Sequence, residues 1–93
     1  MAHQYDNRQA RYLHLKAIER LNETWEPDYV FQEQGGSIGR GNQNDFVLPE
    51  ERVSRHHAMI SYENGDYFLT DQNSANGTFV NDSPDRLEPS RIL

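Results

Sequence analysis

From Tyr29 onward no apolar run in this chain is long. Tyr29-Val30-Phe31, Phe46-Val47-Leu48, Ala58-Met59-Ile60 and Tyr67-Phe68-Leu69 each give way within a few residues to Gly, Pro, Asn or Asp. A core-facing helix needs apolar residues repeating at helical spacing over about ten residues or more, whereas brief aromatic and β-branched runs between turn formers indicate strands. Strands are therefore expected at 29–32, 37–40, 46–48, 58–62, 67–70 and 78–80. Glu63-Asn64-Gly65-Asp66 has the chemistry of a tight hairpin turn between two of them. Strands this short and this regularly spaced predict an all-β sandwich.

The start of the chain is less decided. Residues 1–11 are polar and are expected to form a flexible tail, with one domain over 12–93. Around residues 11–21, Ala10, Leu13, Ala17 and Leu21 fall on one helical face, with Ile18 beside them, yet Leu13, Leu15 and Ala17 also alternate with His14 and Lys16 as in a half-buried strand. The abundance of helix formers there tilts the pattern slightly toward helix. A hydrophobic content of 34% over 93 residues leaves material for one thin core. Without cysteine there is no disulfide, thiolate metal site or thiol nucleophile. Neither a signal peptide nor a membrane-length apolar run is visible, so the expected location is cytoplasmic.

Charge narrows the functional classes. Of the 9 basic and 15 acidic residues, Gly35–Ile60 holds Arg40, Arg52 and Arg55 against Asp45, Glu50 and Glu51 and is neutral. The remainder carries the whole net charge of −6. A surface that tracks nucleic acid or an anionic membrane needs a basic field, and this body is acidic. A compact site for a single phosphate is compatible with it.

The neutral window also carries the candidate chemistry. Arg40 lies in a loop with Gly39, Gly41, Asn42 and Asn44, and a second loop carries Ser54-Arg55-His56-His57. A guanidinium fork, a hydroxyl and glycines that let a ligand approach the backbone suit an oxyanion. Other readings are weaker. The Gly-Gly-Ser-Ile-Gly-Arg-Gly run lacks the Gly-Lys-Ser/Thr ending of a nucleotide loop. Ser54, His57 and Asp71 have the residue types of a hydrolytic triad but no nucleophile elbow. Adjacent His56 and His57 would point to opposite faces of an extended segment and form a poor metal pair. No cofactor, metal or catalytic group is expected.

Taken together, Gly39-Arg40, Ser54-Arg55-His56-His57 and Asn76-Gly77-Thr78 follow the order and spacing of a forkhead-associated (FHA) domain, and the resemblance extends from about Tyr29 to Asn81. It implies a twisted β-sandwich whose loops bind phosphothreonine peptides, in bacterial Ser/Thr phosphorylation signalling. Arg40 would grip the phosphate, Ser54 would donate to it, Arg55 would contact phosphate or nearby peptide, and Asn76 would bond the peptide main chain. Gly39, His57 and Gly77 would shape the loops, with Ile60 and Phe79 in the core. IGR…NDFVLP and YFLTD further resemble FHA domains associated with bacterial type VI secretion. The family also assigns 12–20 to a strand and implies one or two strands beyond Leu93 that pair with it; their absence here implies marginal stability or self-association through an unpaired edge. Ala75 stands where the family often has threonine, which leaves phosphate-independent docking as the alternative.

Overall fold

The computed structural model describes residues 2–4, 12–18, 26–81, 83–88 and 90–93, and every helix or strand among them is a strand. In chain order these are β1 (Ala2–Gln4), β2 (Leu13–Ala17), β3 (Asp28–Phe31), β4 (Gly36–Gly39), β5 (Phe46–Val47), β6 (Ala58–Glu63), β7 (Asp66–Asp71) and β8 (Ser90–Ile92). They form a three-stranded sheet, β1-β2-β3, and a five-stranded sheet, β5-β4-β6-β7-β8. The all-β expectation holds.

Alternation builds the core. In β2, Leu13 and Leu15 are buried while His14 between them is not, and Leu13 lies opposite the buried Phe31 of β3. Ala58 and Ile60 of β6 and Tyr67 and Leu69 of β7 point inward likewise, and all join Ile38, Phe46, Leu48 and Val80 in one cluster. Each Leu, Ile, Val or Phe side chain of this cluster contributes about 1.5–3 kcal/mol on full burial. This explains why 12–20 does not become a helix: a helix there would strand Leu15 away from the face that Leu13 shares with Phe31. The strand is shorter than expected, Leu13–Ala17, and residues 19–20 lie outside those described.

Three expectations need correction. Part of the expected tail is strand: Ala2–Gln4 pairs antiparallel with Leu15–Ala17. Residues 78–80 form no strand and retain only an isolated bridge at Val80. It is Val80, at 3% exposure, that enters the core, and the half-buried Phe79 lies on its margin. Ile60 is core as expected.

Two connections differ in kind, and the second places a functional loop. β6 and β7 are joined through Asn64 (φ 51) and Gly65 (φ 89), two successive left-handed residues that match the twist of a hairpin. β4 and β5 are parallel and paired only at Ile38–Phe46 and Gly39–Val47. Parallel neighbours usually need a crossover of about a dozen residues. Here residues 40–45 bulge out of the sheet and re-enter it, which puts Arg40 on a projecting loop.

Candidate functional site

Three loops meet at one end of the five-stranded sheet: 40–45 after β4, 49–57 before β6, and 72–77 after β7. The first two are bonded backbone to backbone. Arg40 N donates to Ser54 O at 3.0 Å, Gly41 N to Arg55 O at 3.3 Å, and His57 N to Ile38 O at 2.9 Å. The contact is close because Gly39 has no side chain; a Cβ there would sit 2.2 Å from Arg55 O.

Buried Asn44 locks the same seam. Its Nδ2 donates to Gly41 O at 2.8 Å and to Arg55 O at 2.9 Å. Sequence reading takes Asn44 as one turn former among several. Only the fold reveals that its side chain spans both loops. Asn44→Ala removes both bonds, while each carbonyl keeps one backbone donor, Asn44 N for Gly41 O and Gly41 N for Arg55 O. The loss of two hydrogen bonds at about 0.5–1.5 kcal/mol each is expected to cost about 1–3 kcal/mol. Urea denaturation of the variant checks this.

Asp45 closes the base of the first loop. Its carboxylate accepts Ser37 N at 2.9 Å and Ser37 Oγ at 3.3 Å, while its own N donates to Ser37 Oγ at 3.1 Å. This acid is thus tied to β4. Among the described residues the Arg40 side chain bonds only through Nε, which donates to Val53 O at 3.1 Å. Among the described residues neither Arg40 nor Arg55 forms an ion pair. Arg40 therefore lies along the Val53–Ser54 segment with its Nη donors uncommitted. The exposed Arg55 contributes its carbonyl to the seam, and its guanidinium takes no described part in it.

The third loop joins through Ser54, Asn76 and His57. Ala75 N donates to Ser54 Oγ at 3.0 Å, so that hydroxyl is held as an acceptor and its own proton is available to a further group. The main chain at position 75 thus orients Ser54 without any help from the side chain. Asn76 Nδ2 donates to Arg52 O at 2.8 Å, leaving Oδ1 as an acceptor. Gly77 has φ +84, a left-handed conformation that favours glycine. Asp71 holds this loop from within, accepting Ser74 N at 3.1 Å, Ser74 Oγ, and Thr78 Oγ1 at 2.7 Å.

His57 ties the second loop to the third. Ser54 N donates to its Nδ1 at 3.0 Å, and its Nε2 lies 3.1 Å from Gly77 O, which makes Nε2 the protonated nitrogen of a neutral ring. Both nitrogens are occupied, and neither faces Ser54 Oγ as the base of a nucleophile would. Burial pushes the His57 pKa below 6.5, and it outweighs the opposing pull of the Gly77 carbonyl and Asp71. Asp71 is also lowered, from 3.8: burial works against this, but the Ser74 and Thr78 hydrogen bonds prevail.

Both shifts make the unfolded chain the better proton acceptor in acid. The His57 contribution to stability is complete above 6.5 and lost as pH falls below that toward the folded value; the Asp71 contribution is present above 3.8 and lost as pH falls through its folded pKa. The His57 ring resonance is therefore expected to titrate below 6.5 by NMR, with thermal stability falling over the same interval. A midpoint above 6.5 would contradict it.

Sequence reading nominated Arg40, Ser54, Arg55, Asn76, Gly39, His57 and Gly77, and all seven lie on these loops or at their base. Asn44, Asp71 and Arg86 were not nominated, although each fixes a loop. Arg86 Nη2 donates to Ser74 O. None has a distinctive spacing: Asn44 and Arg86 reach partners 11 and 12 residues away, and Asp71 folds its own loop through Ser74 and Thr78.

A two-sheet β-sandwich with Arg, Ser and Asn on three conjoined end loops defines a loop-built recognition module. The FHA-domain family model matches residues 36–93, and the chain belongs to that family, whose domains are interaction modules. It is 52% identical over 44 residues to the ABC transporter ATP-binding/permease protein Rv1747 of Mycobacterium tuberculosis, a match covering 47% of this chain and 5% of that protein. Among solved structures, Mycobacterium tuberculosis EmbR in complex with a low-affinity phosphopeptide superposes with a TM-score of 0.65 and 31% identity, covering 84% of this chain and 19% of that one. A structure from a structural and functional analysis of phosphothreonine-dependent FHA domain interactions gives 0.63 and 31%, covering 86% and 77%. The chain thus corresponds to a small part of its longer relatives.

Proposed function

We propose that this domain binds phosphothreonine peptides in bacterial Ser/Thr phosphorylation signalling. The observation that carries the reading is the double attachment of Arg40 to the Ser54 loop, through its backbone N to Ser54 O at 3.0 Å and its Nε to Val53 O at 3.1 Å. It ties the Arg40 guanidinium to the segment that carries the Ser54 hydroxyl, and among the described residues neither the Arg40 Nη donors nor the Ser54 hydroxyl proton has a protein partner. Charge-assisted bonds from such a pair to a phosphate contribute about 1.5–3 kcal/mol each. Asn76 Oδ1 is available for a main-chain N–H of the peptide, and Arg55 adds a second exposed guanidinium. The phosphopeptide complex of EmbR and the phosphothreonine dependence of another FHA structure support the same reading.

The acidic body makes the short-range bonds decisive, since the overall field repels a dianion. Titration with phosphothreonine, phosphoserine and unphosphorylated forms of one peptide library tests the proposal. Binding confined to phosphorylated members, with phosphothreonine preferred, is expected; equal binding of all forms would defeat it. The finer setting, a cytoplasmic role coupled to type VI secretion, rests on the IGR…NDFVLP and YFLTD resemblance, and co-purification with secretion components dependent on Arg40 tests it.

A further inference from the structure

We infer that Arg86 is a positioning residue for the third recognition loop, an inference that rests on the phosphopeptide reading above. The front of this loop is held by the second loop, through Ala75 N to Ser54 Oγ, Asn76 Nδ2 to Arg52 O, and His57 Nε2 to Gly77 O. Behind it, the Arg86 guanidinium donates through Nη2 to Ser74 O. The Arg86 stem also covers Gly77: a Cβ built there would lie 2.9–3.0 Å from Arg86 Nε, Cδ and Cγ. The neighbouring residue fixes where this strap begins, because Leu87 N donates to Thr78 O at 2.7 Å and Leu87 packs against the core.

Arg86 thus supplies a donor to the carbonyl that precedes Ala75 and a cover over the glycine that follows Asn76. The segment between them carries the amide that orients Ser54 and the amide side chain available to a peptide. Removing the strap leaves Ser74 O without that donor and opens space against a residue at φ +84. Loop 74–77 then has a wider range of positions, and its recognition groups have to be ordered when the peptide binds.

Two measurements on the full chain test this: amide hydrogen exchange in the absence of ligand, and affinity for a phosphothreonine peptide. In Arg86→Met, which retains most of the stem but no donor, the Ala75 amide that donates to Ser54 Oγ is expected to exchange about tenfold faster, and affinity to fall by about tenfold. Arg86→Lys, keeping stem and charge, should restore much of both, and the Gly65 amide of the distant hairpin should be unaffected. A double-mutant cycle with Asn76→Ala should show losses smaller than the sum of the two, because the part of the Arg86→Met effect that acts through Asn76 disappears while the part acting through Ala75 N and Ser54 remains. Unchanged exchange, or affinity losses that simply add, would overturn the assignment. Exchange decides it even if no phosphopeptide binds, so failure of the functional reading remains distinguishable.

Discussion

Arg40→Ala is expected to lower affinity for a phosphothreonine peptide by on the order of a hundredfold, about 3 kcal/mol, while the domain stays folded. The size follows from what the side chain does inside the protein. Among the described residues a single side-chain bond, Nε to Val53 O, restrains it, and the Nη donors remain for a ligand. The alanine variant loses that one exposed bond, a modest cost in stability of about 0.5–1.5 kcal/mol, because the backbone bond from Arg40 N to Ser54 O does not depend on the side chain. Arg40→Lys keeps the charge and loses the planar fork, so it should fall between the two. Calorimetric titration beside thermal unfolding separates the terms. Undiminished binding by the alanine variant would remove Arg40 from the site.

Ser54→Ala is a smaller perturbation of a different kind. It deletes the proton offered to phosphate and also the acceptor for Ala75 N. A loss there cannot be assigned to phosphate contact alone. Arg40 is the cleaner test because its internal and ligand-facing donors are different atoms.

What could be read from the residues, and what could not, divides along sequence separation. The hairpin at Asn64-Gly65 and the alternation in β6 and β7 are local, and local pattern showed them. The segment around Leu13 is ambiguous locally, since good helix formers occupy a strand; pairing with Phe31 decides it, a contact no window of residues contains. β1 left no trace, because Ala-His-Gln has neither alternation nor β-propensity. The 78–80 run has strand-forming residues, but Thr78 O meets only Leu87 N, so a single bridged turn forms in place of a ladder. At the site, Arg40, Ser54 and Asn76 were legible because their residue types and spacing are distinctive. Asn44, Asp71 and Arg86 are generic residues whose importance lies in partners 3 to 12 positions away, and no residue type or spacing marks those partners in advance.

Gly39→Ala is expected to destabilise the domain by at least the upper part of the range of about 1–3 kcal/mol usual for overpacking, and to abolish most phosphopeptide affinity as well. The new Cβ would lie 2.2 Å from Arg55 O, 2.9 Å from Arg55 C and 2.8 Å from Asn44 Nδ2. A flexible side chain could give way at such distances; this carbonyl cannot do so cheaply, since it accepts both Gly41 N and Asn44 Nδ2. Relief requires the first two loops to separate, and that separation breaks the seam holding Arg40 against Ser54. Stability and affinity therefore fall together. Gly65→Ala is the matched contrast: at φ +89 it also strains the backbone, yet an added Cβ meets nothing within 4 Å, and the hairpin carries none of the recognition residues. It should lower the unfolding temperature and leave the dissociation constant unchanged. If Gly39→Ala bound phosphopeptide as tightly as the parent domain, the close packing of the two loops would have no part in recognition.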